Sequence, residues 1–312
     1  MDGSHYGHLS SRPFRAELIG LVEVPALNRR QKIKEDSSSK PYGIFARIYD
    51  DVMSAVPYKF WHRYLEFLRK YHGFDEPSQA LELACGTGSM MKLFLKKGMR
   101  VSGVDLSPSM LEQAGEKLQC FSGLGELEQQ DIRELDMENK YDLIYSVFDS
   151  MNYILSFEGL EKVFRQVRRH LRDDGLFIFD MNTRARIKEI EEGYTRFEGD
   201  YFTCQWQDSV CKEDNLWEVE LTIKLDEYDG FFYEKHQETS YPLEDIKASL
   251  LDSGFNFVRC YEGYSLRHAS EMSSRVYFLA GITSPLKPSM RERVRLRMGW
   301  NFYRLINFLS PF

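Results

Sequence analysis

Glu82, Gly86 and Gly88 stand together in the run LELACGTGSMMKLF, where an acid inside a short apolar stretch precedes two glycines and a helical pattern. A strand that ends in glycines at a helix start lets backbone N–H groups and the positive helix end approach a ligand closely. The dinucleotide fingerprint needs a third small residue for tight helix packing, and Met91 stands there instead. A pyrophosphate is therefore disfavoured. Asp105 closes the next strand-like run 19 residues after Gly86, where a carboxylate can accept both hydroxyls of a ribose. Asp131 closes EQQD, placed to meet the amino edge of an adenine. Ribose and adenine without a diphosphate describe adenosylmethionine, a methyl donor.

Methyl transfer from a sulfonium asks mainly for alignment, and a base is needed only where the acceptor binds protonated or has a high pKa. Three groups of residues can face the methyl group. Asp149, Asn152 and Tyr153 follow YDLIYSV, and ligands of open α/β sheets sit beyond the carboxyl ends of the strands. Asp149 suits a cationic amine, and equally suits capping the next helix. Tyr42, Tyr49, Tyr58 and Trp61 offer ring faces to a sulfonium, or pack as core at helical spacing. In YEKHQETSY, alternation puts His236, Glu238 and Ser240 on one face and Lys235, Gln237, Thr239 and Tyr241 on the other. His236 is the histidine placed for a general base, with a structural role as its alternative.

The elements that must position these residues follow from patterning. ALELA, RVSGVD, YDLIYSV and GLFIFDM alternate with helical stretches, with GELEQQD a weaker strand among them. The runs are apolar on both faces, as strands covered by helices on either side are. This predicts an α/β fold with a doubly wound, mostly parallel sheet. Two helices precede it, one on Phe45, Ile48, Tyr49, Val52 and Met53 and one after Pro57. Residues 200–241 carry period-two runs, with Asp229-Gly230 as a hairpin signal, so an inserted antiparallel β cap is expected. A helix over 243–253 and two strands then complete the main sheet. The predicted organisation is a flexible arm over 1–41, a cofactor-binding domain over 42–199 and 242–283, the cap over 200–241 and a basic helix over 284–312.

LELACGTG, GVDLSPSML, EQQDI, YDLIYSVFDSMNYI and LRDDGLFIFDMN, in that order within residues 42–282, resemble the class I S-adenosylmethionine-dependent methyltransferases. The chain is most similar to their small-molecule branch, which includes amino-sugar N-methyltransferases and glycine N-methyltransferase relatives. The resemblance implies a Rossmann-like sheet of seven strands and S-adenosyl-L-methionine as cofactor. It places Glu82, Ala84, Gly86 and Gly88 on the methionine side, Asp105 at the ribose, and Leu106 and Met110 about the adenine. Asp131 and Ile132 read the adenine edge, with Val147 and Trp61 as further cofactor contacts. Ala84 departs from the glycine of many relatives, at little cost unless the backbone needs positive φ there. Thr239 stands where relatives often carry an arginine, so substrate preference does not transfer. The expected reaction is methylation of a small polar metabolite at nitrogen, with oxygen as the second choice. Asp149, His236 and Tyr42 are its catalytic candidates, and Asn152, Tyr153 and Glu238 its substrate contacts. The alternatives are a non-catalytic cofactor-binding module acting through its terminal arms, and an RNA methyltransferase.

The net charge of −7 argues against a chain that wraps nucleic acid, and no DNA partner is expected. Yet from Lys287 to Phe312 six cations face Glu292 alone, a net of +5 against −12 for the remainder. MRERVRLRMGWNFYRLINFL predicts a helix on which Val294, Met298, Leu305, Ile306 and Leu309 share a stripe. Such a helix docks on its own domain or a second copy, lies on an anionic membrane, or binds RNA or an acidic protein partner. A monomer or homodimer is expected. Five cysteines without a CxxC pair or a His/Cys cluster indicate reduced thiols and no metal. With no long apolar run and no secretory signal, the expected location is cytoplasmic.

Overall fold

The computed structural model describes residues 40–309, so the expected arm, apart from Lys40 and Pro41, lies outside the described residues. The chain opens with a 3-10 turn, Phe45–Arg47, and a short α1 (Tyr49–Val52). The first predicted helix is thus broken. Glu234 accepts the N–H groups of Tyr42 and Phe45 at 2.8 and 2.9 Å, so those donors are satisfied without a regular helical turn. α2 (Tyr58–His72) follows Pro57 and stops at Gly73, which adopts the left-handed conformation with φ 85°.

The alternation then runs β1 (Gln79–Leu83), α3 (Ser89–Leu95), β2 (Arg100–Asp105), α4 (Pro108–Leu118), β3 (Gly125–Gln129), β4 (Tyr141–Ser146), α5 (Phe157–His170), β5 (Leu171–Asn182) and α6 (Arg184–Glu189). Four strands follow, β6 (Gly193–Glu198), β7 (Phe202–Cys211), β8 (Leu216–Leu225) and β9 (Phe232–Thr239). The chain ends with α7 (Leu243–Asp252), β10 (Phe257–Glu262), β11 (Arg275–Gly281) and α8 (Met290–Leu309). The main sheet has seven strands in the order β10-β11-β5-β4-β1-β2-β3. β1 to β5 pair in parallel, and β11 enters antiparallel to both β5 and β10. Strand order reverses at β1, between β2 and β4, and the crevice at that reversal is where such sheets bind ligands.

Alternate strand residues feed two cores. Ala80, Leu143 and Tyr145 pack with α2 and α3 through Tyr64, Leu68, Met91 and Phe94. Leu81, Ile144, Phe177 and Phe179 pack with α5 and α7 through Phe164, Val167 and Leu250. Full burial of such side chains stabilises by about 1.5–3 kcal/mol each.

β6 to β9 form a separate antiparallel sheet in sequence order. It starts at Gly193, ahead of the expected residue 200, because the half-exposed edge strand β6 carries no apolar run to mark it. Asp229-Gly230 does not make a two-residue turn, since the strands stop at Leu225 and Phe232. α8 also differs from expectation. It docks on α2 through Trp300, whose ring lies 5.1 Å from Phe67 and 5.3 Å from Phe60, with Leu296 and Tyr303 beside it. Val294, Met298, Leu305 and Ile306 of the predicted stripe are exposed instead. Aromatic area decided which face was buried.

Candidate active site

The glycine turn begins where β1 ends. Ala84, Gly86 and Gly88 all take positive φ (53°, 54° and 72°), which turns the chain sharply into α3. The structure does take positive φ at Ala84, the one condition under which its methyl group carries a cost. A left-handed alanine costs roughly 1–2 kcal/mol. A Cβ built on Gly86 would meet nothing within 4 Å, so the turn leaves open space beside it. Met91 fits without the third glycine because β2 supplies Gly103 opposite it; a Cβ there would fall 2.9 Å from the Cys85 sulfur and closer still to that of Met91.

Asp105 is fixed from two sides. Its Oδ2 accepts the Gly86 N–H at 2.8 Å and its Oδ1 the Ser107 N–H at 2.9 Å. Burial raises its pKa, and those backbone N–H groups oppose the rise. Ser107, not Asp105, caps α4, its hydroxyl accepting the Met110 N–H at 3.2 Å. Glu82 lies buried behind the turn, where desolvation pushes its pKa to about 8 despite a hydrogen bond from the Tyr145 hydroxyl. Leu106 is exposed beside this edge, Met110 is buried against Phe45 and Tyr49, and Val147 is buried just beyond β4. Asp131 caps a 3-10 turn and pairs with Arg133, while Ile132 packs in the core on the α5 side.

Residues 42–52 form a strap across the crevice. Toward the cofactor turn, the Ser107 hydroxyl donates to the Tyr42 carbonyl at 2.7 Å, and Thr87 donates to Asp50 at 2.7 Å. Lys117 closes that corner, its ammonium 2.7 Å from the Asp50 carboxylate and donating also to Thr87 and Ser89. Toward the cap, Glu234 holds the strap as described, and the Tyr201 hydroxyl donates to the Arg47 carbonyl and to Asp51.

At the far end of the crevice, Phe148 and Asp149 take positive φ in succession (67° and 53°), an arrangement that costs about 1–3 kcal/mol per residue. It aims Asp149 at Arg275, 3.3 Å away, and at the Asn182 amide. Arg275 also pairs with Asp180 and stands 5.9 Å above the Trp61 ring. Asn182 donates to Glu238 as well, at 3.3 Å. Burial and then Asp149 hold Glu238 well above the usual carboxylate range, and burial raises Asp180 to about 6. Burial works to discharge Arg275, but Asp149 and Asp180 overcome it and keep its pKa high.

Tyr42, Tyr153 and His236 meet as a chain: Tyr42 donates to the Tyr153 hydroxyl at 2.6 Å, and that hydroxyl lies 3.2 Å from His236 Nδ1. Nε2 of His236 sits 3.4 Å from Glu234 without hydrogen-bond geometry. Asn152 is a correction. Its amide donates to the carbonyls of Asn182 and Thr239 and accepts the Asn182 N–H, so it ties β5 to β9 and has no donor left for a substrate.

Asp50, Lys117, Glu234 and Arg275 were missed by sequence reasoning. They are far apart along the chain and belong to no spaced motif. Asp180 and Asn182 did carry a signal, as alternate residues at the end of the run GLFIFDMN.

Residues 80–175 match the family model described as a methyltransferase domain. A solved S-adenosylmethionine-dependent methyltransferase from Clostridium acetobutylicum is 30% identical, with a TM-score of 0.64 over 77% of this chain and 98% of that one. The putative methyltransferase YqeM of Bacillus subtilis is 30% identical over 77% of this chain and 96% of its own length. Malonyl-[acyl-carrier protein] O-methyltransferase 1 of Ilyobacter polytropus is 36% identical over 60% of this chain and 70% of its own. A dTDP-amino-sugar N,N-dimethyltransferase of Streptomyces venezuelae is 30% identical over 34% of this chain and 43% of its own. The chain belongs to the S-adenosylmethionine-dependent methyltransferase family, and S-adenosylmethionine is its cofactor.

Proposed function

We propose that the chain methylates the amine nitrogen of a small polar metabolite. The supporting observation is the excess of buried acid at the ends of β4, β5 and β9. Asp149, Asp180 and Glu238 gather around Arg275, and Arg186 acts on Glu238 only through the wider field. A buried carboxylate without a matching cation either takes up a proton or binds a positive ligand. Burial and Asp149 push Glu238 toward the first, and an alkylammonium would take that proton's place.

In this reading the amides of the glycine turn hold the methionine end, Asp105 accepts from the ribose, and Leu106, Met110, Asp131 and Ile132 border the adenine. Bound adenosylmethionine supplies a methyl group activated on a sulfonium. The Asp149–Glu238 pair takes the ammonium proton, which frees the nitrogen lone pair for in-line attack. Tyr42 and Tyr153 serve as hydrogen-bond donors rather than bases, since burial first and neighbouring groups next hold both phenols well above their ordinary range. His236 is a positioning residue that orients Tyr153.

Methylation at oxygen is the second reading, favoured by the name of the Ilyobacter relative, an O-methyltransferase. The acid cluster repels an anionic acceptor, and Arg275 is already engaged by Asp149 and Asp180. A panel of primary amines and matching alcohols and carboxylates tests this. Turnover is expected with amines, and Glu238→Gln should raise the amine KM by roughly 10- to 100-fold while leaving adenosylhomocysteine affinity intact. Turnover confined to oxygen acceptors, or an unchanged KM, would overturn the assignment.

A further inference from the structure

The docked face of α8 is fully engaged. Besides Trp300, Arg293 lies over the Tyr71 ring and donates to its hydroxyl, and Arg304 donates to the Tyr264 carbonyl. The opposite face is therefore held outward. It carries Met290, Val294, Met298, Phe302 and Ile306, one every fourth residue and all exposed, with Leu305 beside them. At 1.5 Å per residue this ridge runs about 24 Å along the surface. Arg291, Arg295 and Arg297 are exposed on and beside the ridge, and none has an ion-pair partner among the described residues.

We propose that this face of α8 is an attachment surface for anionic lipid membranes. Three observations select that partner. The ridge is apolar and too extended to be scattered surface residues, and water is its least favourable neighbour. Arginines interleaved with it can bury their stems along the acyl boundary and keep their heads among lipid phosphates. The segment from Lys287 is +5 while the remainder is −12, so an anionic bilayer attracts this helix and repels the rest, which fixes one orientation. A second copy is a poorer fit, because pairing two such faces sets cations against cations. A nucleic acid would use the arginines and leave the ridge wet. Among the described residues no helix is long and apolar enough to cross a membrane, so the contact is a peripheral one.

Flotation of the full chain with vesicles tests the proposal. Vesicles of phosphatidylcholine with about 30% phosphatidylserine should carry the protein upward at low salt, and pure phosphatidylcholine should carry far less. Replacing Arg291, Arg295 and Arg297 together with glutamine should lower the partition coefficient on the order of 100-fold. Met298→Asp with Phe302→Asp should abolish flotation without shifting the thermal melt, because neither side chain is buried. Equal recovery with neutral and anionic vesicles would overturn the proposal. So would unchanged flotation of the Asp variant, a mass that doubles in solution and reverts in that variant, or retention by RNA in place of vesicles.

Discussion

Ala84 carries its cost in its own backbone, at φ 53° in a turn whose other left-handed positions are glycines. Ala84→Gly should therefore raise stability by about 0.5–1 kcal/mol, after allowance for the looser unfolded chain, as read from denaturant melts. Glu82 makes a prediction of its own. Its pKa is 4.5 ordinarily and about 8 when folded, so between those values the native state holds a proton that the unfolded chain has lost. Its contribution is complete below pH 4.5 and disappears as pH rises to 8. Glu82→Gln should flatten the fall in melting temperature across that window. Glu82, Asp105 and the glycines were legible because they fall within one local motif, with spacing set by a single strand–turn–helix–strand unit. Arg275 and Glu234 were not, because β11 and β9 reach the crevice only through sheet pairing, which leaves no mark on local spacing.

Among the elements, the strap depends on two fastenings. Asp50→Asn keeps its shape but discharges the partner of Lys117. Amide exchange over residues 42–52 should then accelerate, and adenosylhomocysteine affinity should fall by roughly 2- to 5-fold, the loss of an ion pair half open to water. The same experiment on Glu138, an exposed acid outside the strap, is the control. Most helices and strands were readable from period, since apolar residues repeat at 3.6 or 2 wherever a core exists. Periodicity failed where neighbours replaced it. Glu234 takes the entry N–H groups that no helical turn satisfies, so the strap is held from the cap and not by a long helix, and β6 pairs along one edge with most of its side chains exposed.

For the whole molecule, α8 is a structural cover as well as an outward surface. Trp300→Ala should cost about 3 kcal/mol, because it empties a site among Phe60, Tyr64 and Phe67, and a melt monitored by aromatic circular dichroism would record it. The sequence showed the helix but not which side faced inward, since rings at Trp300 and Tyr303 outweighed a longer aliphatic row. Tyr42, finally, is gripped by Ser107 on one flank and Glu234 on the other, so one strap is tied both to the cofactor turn and to the cap. Release from beneath it should require that strap to open. Product release should then limit steady-state turnover, and a burst in the first turnover is the measurement that checks it.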